Sequence, residues 1–424
     1  MAFLSRTPLA LLLALALQAA RGAASTCSGG SPAPGAGKAL YLITNDEANA
    51  VVALRVGPDG RLSPGSVTPT NGAGSVALNS MNQPAAPDAL VSQSALTIAG
   101  NHIFAVNAGS NTLSMLSISP SDPTRLSLVG TPVRVPGEFP NTVSASSKHG
   151  LVCVGTTGAV AGVSCASFSR NQLGRMDALR PFDLGQTTPP VGPFNTVSQL
   201  FFSTDESALF ATVKGDPPNN KTGFFSSFPV MRQQQQRRHY KGGQGQPGGG
   251  RLVSAVSVRE QRSTPEGTAV LFGSQSIPGN GSRVFATDAS FGAAILSVDP
   301  VTGKATALAK GSVQGQRATC WATISAATGT AFVTDVGVNR LVEMSLEDAR
   351  VLSEIDLKAN GDPGLIDLRA AGNFVYALSP GNGTTQAAVT VVDVSGGGGK
   401  AKQVQHFELK GLAGKNAMGM AVRE

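Results

Sequence analysis

Apolar residues along this chain come in short runs separated by small polar turns, and one arrangement recurs. FAVNAGSNTLSMLSI (104–118) is an apolar run, a turn and a second apolar run. The same shape returns in VCVGTTGAVAGVSCASF (152–168), VFATDASFGAAILSV (284–298), AFVTDVGVNRLVEMSL (331–346) and VYALSPGNGTTQAAVTVVDV (375–394). YLITNDEANAVVALRV (41–56) and the looser LFATVKGDPPNNKTGFFSSFPV (209–230) bring the copies to seven. Short apolar runs bounded by Gly, Asn and Asp predict β-hairpins.

The copies start roughly 45–75 residues apart, the period of propeller blades rather than of helical solenoids. Before most of them lies a further apolar run: SALTIA (94–99), NTVSASS (141–147), NTVSQLFFS (195–203), GTAVLFGS (267–274), CWATIS (320–325) and GLIDLRAAG (364–372). After most comes an edge-like strand such as RLSLVGTPV, ATALAKGSV or AKQVQHFEL. Four strands per unit make a blade. Only a Gly- and Pro-rich segment precedes YLITN, whereas NAMGMAV (416–422) has the form of an inner strand at the other end of the chain. The expected fold is all-β, a seven-bladed β-propeller closed by pairing the C-terminal strand into the first blade, which removes the exposed sheet edges of an open array.

Composition agrees. Of 424 residues 41% are hydrophobic and 14% charged, with 51 Gly and 26 Pro, so the chain can bury a large core while Gly and Pro interrupt any long helix. Residues 1–24 read as a secretory signal peptide: Arg6, the apolar stretch LALLLALALQAA, then small residues Gly22, Ala23 and Ala24. A Gly/Pro-rich segment, 25–37, leads into a single propeller over 38–424. No later segment has the length and apolarity of a membrane helix, so no membrane insertion is expected.

Secretion favours disulfides for the four cysteines. Cys153 and Cys165 fall on the two strands of one hairpin, which leaves Cys27 and Cys320; four cysteines allow three pairings, and spacing alone does not choose. Sequons at Asn220, Asn280 and Asn382 lie in Gly- or Pro-rich turns and predict a glycoprotein. The formal charge of +7 is carried by Arg6 and Arg21 in the leader and by Arg232, Arg237, Arg238, Lys241 and Arg251 in RQQQQRRHYKGGQGQPGGGR. The rest is balanced, so no nucleic-acid partner is expected. The Gln/Gly/Arg-rich stretch at about 231–251 reads as a disordered insertion, because its composition cannot pack a core.

VNAGSNTLSML, VPGEFPNTVSAS, LVCVGTTG, MDALRPFDLGQTTPPVGP, ATCWATISAATGTAFVTDVGVNRLVEMSL and NGDPGLIDLRAAGNFVYALSPGNGTT resemble the secreted fungal proteins named 3-carboxymuconate cyclase-like. These are a branch of the lactonase-type seven-bladed propellers. The likeness runs from about residue 38 to the C-terminus, apart from the insertion. It implies cycloisomerisation of a carboxylated muconate to its lactone. No cofactor and no metal are expected, and the signal peptide predicts a protein, expected to be a monomer, that is extracellular or held at the cell wall. Proteins of this branch are also surface glycoproteins and antigens, so a non-catalytic role, binding a partner or a surface carbohydrate, stands beside the enzymatic one. Lactonase-type propellers carry histidines in the connectors that here read GEFPNTV and GPFNTVS.

In a propeller the turn within each recurring hairpin and the connector into each inner strand open on one face, taken here as the top. A small carboxylated substrate requires a cationic clamp and a proton donor. Arg317 and Lys415, just ahead of inner strands, are the best-placed cations, and Glu138 and Glu266 in equivalent connectors are the candidate acids. Asn141, Asn195, Lys214 and Trp321 are the candidate ligand-binding residues. Asp288 and Asp335 recur in TDASFG and TDVGVN, which points to a turn requirement, with a Ca²⁺ site as the rival reading.

Overall fold

Each recurring hairpin forms the two middle strands of a four-stranded antiparallel blade. The computed structural model describes residues 37–234, 252–397 and 399–424; the leader, Cys27 and residues 235–251 lie outside them. Blade 2 shows the pattern: inner strand Leu96–Ala99, then His102–Asn107, Thr112–Ile118 and outer strand Leu126–Leu128, each hydrogen-bonded to the next. The inner strands of blades 3 to 7 are Pro140–Ser146, Val197–Phe202, Leu271–Ser276, Thr319–Ser325 and Leu368–Ala371. These follow one another around the axis, and Met418–Arg423 fills the remaining gap between blades 7 and 2.

Burial explains the periodicity. Second strands such as His102–Asn107 and Leu151–Thr156 are buried along their whole length, because neighbouring blades cover both faces. They therefore read as continuous apolar runs instead of alternating ones. The outer strand Ala305–Ser312 has neighbours on fewer sides and alternates buried with exposed positions.

Closure is as expected. Met418–Arg423 pairs antiparallel with Ala39–Ile43, Leu40 opposite Val422 and Tyr41 opposite Ala421. Gly419 has φ +69°, and a Cβ there would lie 2.7 Å from Leu96 Cδ2, so only glycine lets this strand press against blade 2. Asp367 ties the junction together from blade 7. Its fully buried carboxylate bonds Arg369 Nη1 at 2.8 Å and faces the backbone N–H groups of Ser94 and Met420. Burial pushes its carboxyl above the usual range.

Cys153 and Cys165 are cross-strand partners joined by a disulfide, their Cα atoms 4.0 Å apart. Cys320 carries no disulfide to a described cysteine. In blade 4 the third strand, Phe224–Gln234, runs on into the Gln-rich stretch and pairs with Leu252–Val256, Gln234 opposite Leu252. The three sequon asparagines are exposed in turns, Asn220 and Asn382 on the top face and Asn280 on the bottom.

His406, on the outer strand of blade 7, bonds Asp362 through Nε2 at 3.1 Å. That hydrogen bond, with the charges of Asp362 and Glu408, holds the imidazole pKa above its ordinary value against the opposing effect of burial. A raised folded-state pKa contributes stability that is complete below the unfolded value and lost as pH rises through the folded one. The melting temperature should therefore fall as pH rises from the ordinary imidazole value of 6.5 through the raised folded one, and His406→Gln should remove part of that fall. An unchanged slope in a differential scanning series would refute the assignment.

Candidate functional site

The top face holds a cavity of about 440 Å³ at the channel mouth, a size ordinary for small-molecule sites. Its walls come from the long connector into blade 2 (Asn79, Ala85, Ala86, Asp88, Val91), the connector into blade 4 (Gly192, Pro193, Phe194), and the top turns and inner-strand starts of blades 4 to 6. Most of the lining is Ala, Val, Pro and aromatic; the ionisable side chains in it are Asp88, Lys214 and Cys320.

Bulges aim the aromatic wall. Between Leu271 and Ser274 in blade 5, and between Thr319 and Ala322 in blade 6, the inner strand carries one residue more than its partner. A bulge of this kind re-aims side chains at the end of a strand. Phe272 and the Cys320–Trp321 pair are the residues turned toward the cavity. Freed backbone groups need partners, and the repeated Thr-Asp dipeptide supplies them. Thr287 Oγ1 accepts from Gly273 N at 2.9 Å, and Thr334 Oγ1 accepts from Trp321 N at 3.3 Å. Asp288 Oδ2 accepts from Ala269 N and Val270 N, and Asp335 Oδ1 from Arg317 N. Asp335 also pairs with Arg340 at 2.9 Å. Both aspartates thus serve the connectors, and among the described residues no cluster of three His, Cys, Asp or Glu side chains is placed to hold a metal.

Lys214, the first residue of the blade 4 turn, is 2% exposed. Its Nζ donates to Val91 O at 2.5 Å and lies 4.4 Å from the centre of the Phe272 ring. An ammonium has three donors; the other two have no protein acceptor among the described residues. Trp321, 1% exposed, packs edge-on to Phe272 with ring centres 4.8 Å apart and donates Nε1–H to Ser92 O at 3.1 Å. Asp88 retains some exposed surface, yet its Oδ1 is buried without a hydrogen-bond partner in ordinary geometry.

Desolvation dominates the electrostatics. It pushes the Asp88 carboxyl up to about 7, opposed by Lys214 and by the N–H groups of Leu90, Val91 and Ser92. It pushes Lys214 down to about 8, opposed by Asp88 and Cys320. Burial also raises the Cys320 thiol, leaving it protonated and unreactive at neutral pH. An acid and a base drawn toward neutrality in one cleft are suited to proton transfer.

The structure brings together Lys214 and Trp321 from the candidate residues and leaves the others outside the cavity. Glu138 accepts a hydrogen bond from Thr188 Oγ1 at 2.6 Å in the connector into blade 3. Glu266, Arg317 and Lys415 are exposed on connectors. Asn141 is fully buried and donates to Leu90 O and Val197 O, stitching three blades. Asn195 has φ 55° and donates to Leu184 O at 2.5 Å, holding its own turn. The described histidines contact backbone or side chains away from the cavity: His102 to Arg170 O, His149 to Ser254 Oγ, and His406 to Asp362.

Similarity to solved structures spans nearly the whole molecule. The periplasmic gluconolactonase of Pseudomonas aeruginosa superposes with a TM-score of 0.58 at 15% identity, over 91% of this chain and 99% of that one. The shared fold is the seven-bladed β-propeller. A putative 6-phosphogluconolactonase of Bacteroides fragilis matches at TM-score 0.56 and 9% identity, covering 91% and 98% of the two chains. A hypothetical selenium-binding protein of Sulfolobus tokodaii matches equally at 0.56, with 9% identity over 92% and 94%. At such identities the likeness carries the fold and not the chemistry. No family model matches the chain, and no curated protein matches it in sequence.

Proposed function

We propose that this is a secreted glycoprotein enzyme of lactone chemistry, interconverting a small unsaturated carboxylate and its lactone in the top-face cavity. The observation that carries the reading is the buried Lys214, with free donors, sharing an apolar cleft with an Asp88 whose Oδ1 is unpartnered. The lactonase-type fold and the resemblance to 3-carboxymuconate cyclase-like proteins support it. In the ring-closing direction a substrate carboxylate oxygen adds to a conjugated C=C. The π electrons move toward the carboxylate conjugated with that bond, where Lys214 stabilises the developing charge. Protonated Asp88 then delivers a proton to the neighbouring carbon and recovers one from solvent, so ring closure consumes one proton.

Purified protein should remove the ultraviolet absorbance of cis,cis-muconate or 3-carboxymuconate as the conjugated diene is consumed. No loss above background from folded protein would sink the catalytic reading. It would favour the second one, a surface glycoprotein that binds without turnover. One observation already leans that way: 3-carboxymuconate has three carboxylates, and Lys214 is the one cation lining the cavity among the described residues.

A further inference from the structure

The cavity's lining defines a ligand class narrower than lactones in general. We propose that it selects a planar unsaturated or aromatic ring bearing a single free carboxylate, and rejects polyhydroxylated and phosphorylated lactones. This rests on reading the cavity as the ligand site, and not on turnover. Three features of the wall lead to it.

The first is the scarcity of polar partners. A sugar lactone carries several hydroxyl groups, each of which requires a donor or acceptor once buried. The walls offer mainly Ala, Val, Pro, Phe and Trp side chains, and Trp321 Nε1 is already committed to Ser92 O. Each hydroxyl left unpaired lowers affinity by about tenfold. A flat apolar ring loses nothing there and gains contact with the Phe272–Trp321 edge-on pair.

The second is the single fixed cation. Lys214 is held by Val91 O and by the Phe272 ring, so one anionic group can dock on it without first ordering a flexible side chain. A phosphate dianion would have one lysine and no second cation among the described lining residues. The third is Asp88. Lys214 neutralises one carboxylate, and a second free one would lie in the apolar cleft beside Asp88 with no cation among the described lining residues to pair it. One free carboxylate is what the pair accepts, and the second carboxylate of a muconate is the one consumed as the ring closes. The other acids near the cleft, Asp288 and Asp335, are turned to backbone N–H groups and Arg340, and Cys320 is neutral.

The chain contains one tryptophan, Trp321, and it lines this cavity, so its emission reports occupancy directly. The test is a fluorescence titration of the full-length protein with benzoate, its neutral analogue benzamide, gluconolactone and 6-phosphogluconate. Benzoate should saturate and bind about tenfold tighter than benzamide, by the charge-assisted contact. The two sugar compounds should leave the emission unchanged. In Lys214→Met the ratio of benzoate to benzamide affinity should fall to about one, because only the charged contact is removed. The ligand series on the unmodified protein decides the matter even where that variant does not fold. Equal or tighter binding of gluconolactone or 6-phosphogluconate would overturn the proposal, as would benzamide matching benzoate. Benzoate binding without turnover of any lactone or muconate would sink the catalytic reading and leave this one standing. Turnover of gluconolactone would do the reverse.

Discussion

A chain terminated before Asn416 should not give a soluble protein with a cooperative melting transition. The truncation removes nine residues, among them Ala417, Met418 and Met420, all fully buried. Two buried methionines alone represent roughly 4–10 kcal/mol, against a total stability of about 5–15 kcal/mol for a folded domain. Further losses follow from the geometry. Ala39–Ile43 would lose its ladder partner along one edge, exposing unpaired N–H and C=O groups beside the channel. Asp367 would lose the Met420 N–H that faces its buried carboxylate. Circular dichroism melts of the truncated and full-length proteins are the check; midpoints agreeing within about 3 °C would show that this strand does not close the ring.

The second large effect falls on the cavity. Lys214→Met and Asp88→Asn should each lower kcat/KM by roughly 10²–10³-fold, the range for losing a charge-stabilising or proton-transferring group. Their pH profiles should separate the roles. In the unmodified protein, ring closure requires both groups protonated, so the rate falls as pH rises, first through about 7 where Asp88 ionises and again through about 8 where Lys214 loses its charge. Removing Lys214 takes away the charge that opposes the rise of Asp88, so the remaining limb in Lys214→Met should move to higher pH. In Asp88→Asn the first limb should vanish. Variant profiles superimposable on the parent's, after scaling, would place catalysis elsewhere on the molecule.

Much of this architecture was legible because it is written repeatedly. Residues 104–118 show their hairpin in one reading, and the copies show that blades cover it on both sides. The Asp of TDASFG and TDVGVN was legible as a turn requirement, since its work is local: Asp288 and Asp335 serve backbone N–H groups of the adjoining connectors. Lys214 and Trp321 could be named as top-face residues from their place in the repeat. Asp88 is the one charged residue in the long connector AGSVALNSMNQPAAPDAL, and that isolation is its only signal in the sequence. Phe272 gave none, because its approach to the cavity depends on a bulge set by strand register.

Repetition along the chain determined the number of blades, the order of strands within each and the face on which the turns open, because these follow from local alternation of apolar runs and turn residues. Which turn residues become chemical was decided only by the tertiary structure. Lys214, in a hairpin turn, and Arg317 and Lys415, in connectors, all belong to the top face, and Arg317 and Lys415 remain in solvent. Lys214 is taken out of water by a carbonyl 123 residues away in sequence and by the ring of Phe272 one blade on. Desolvation depends on neighbours that meet only when the ring closes, and it is desolvation that draws Lys214 and Asp88 toward neutrality.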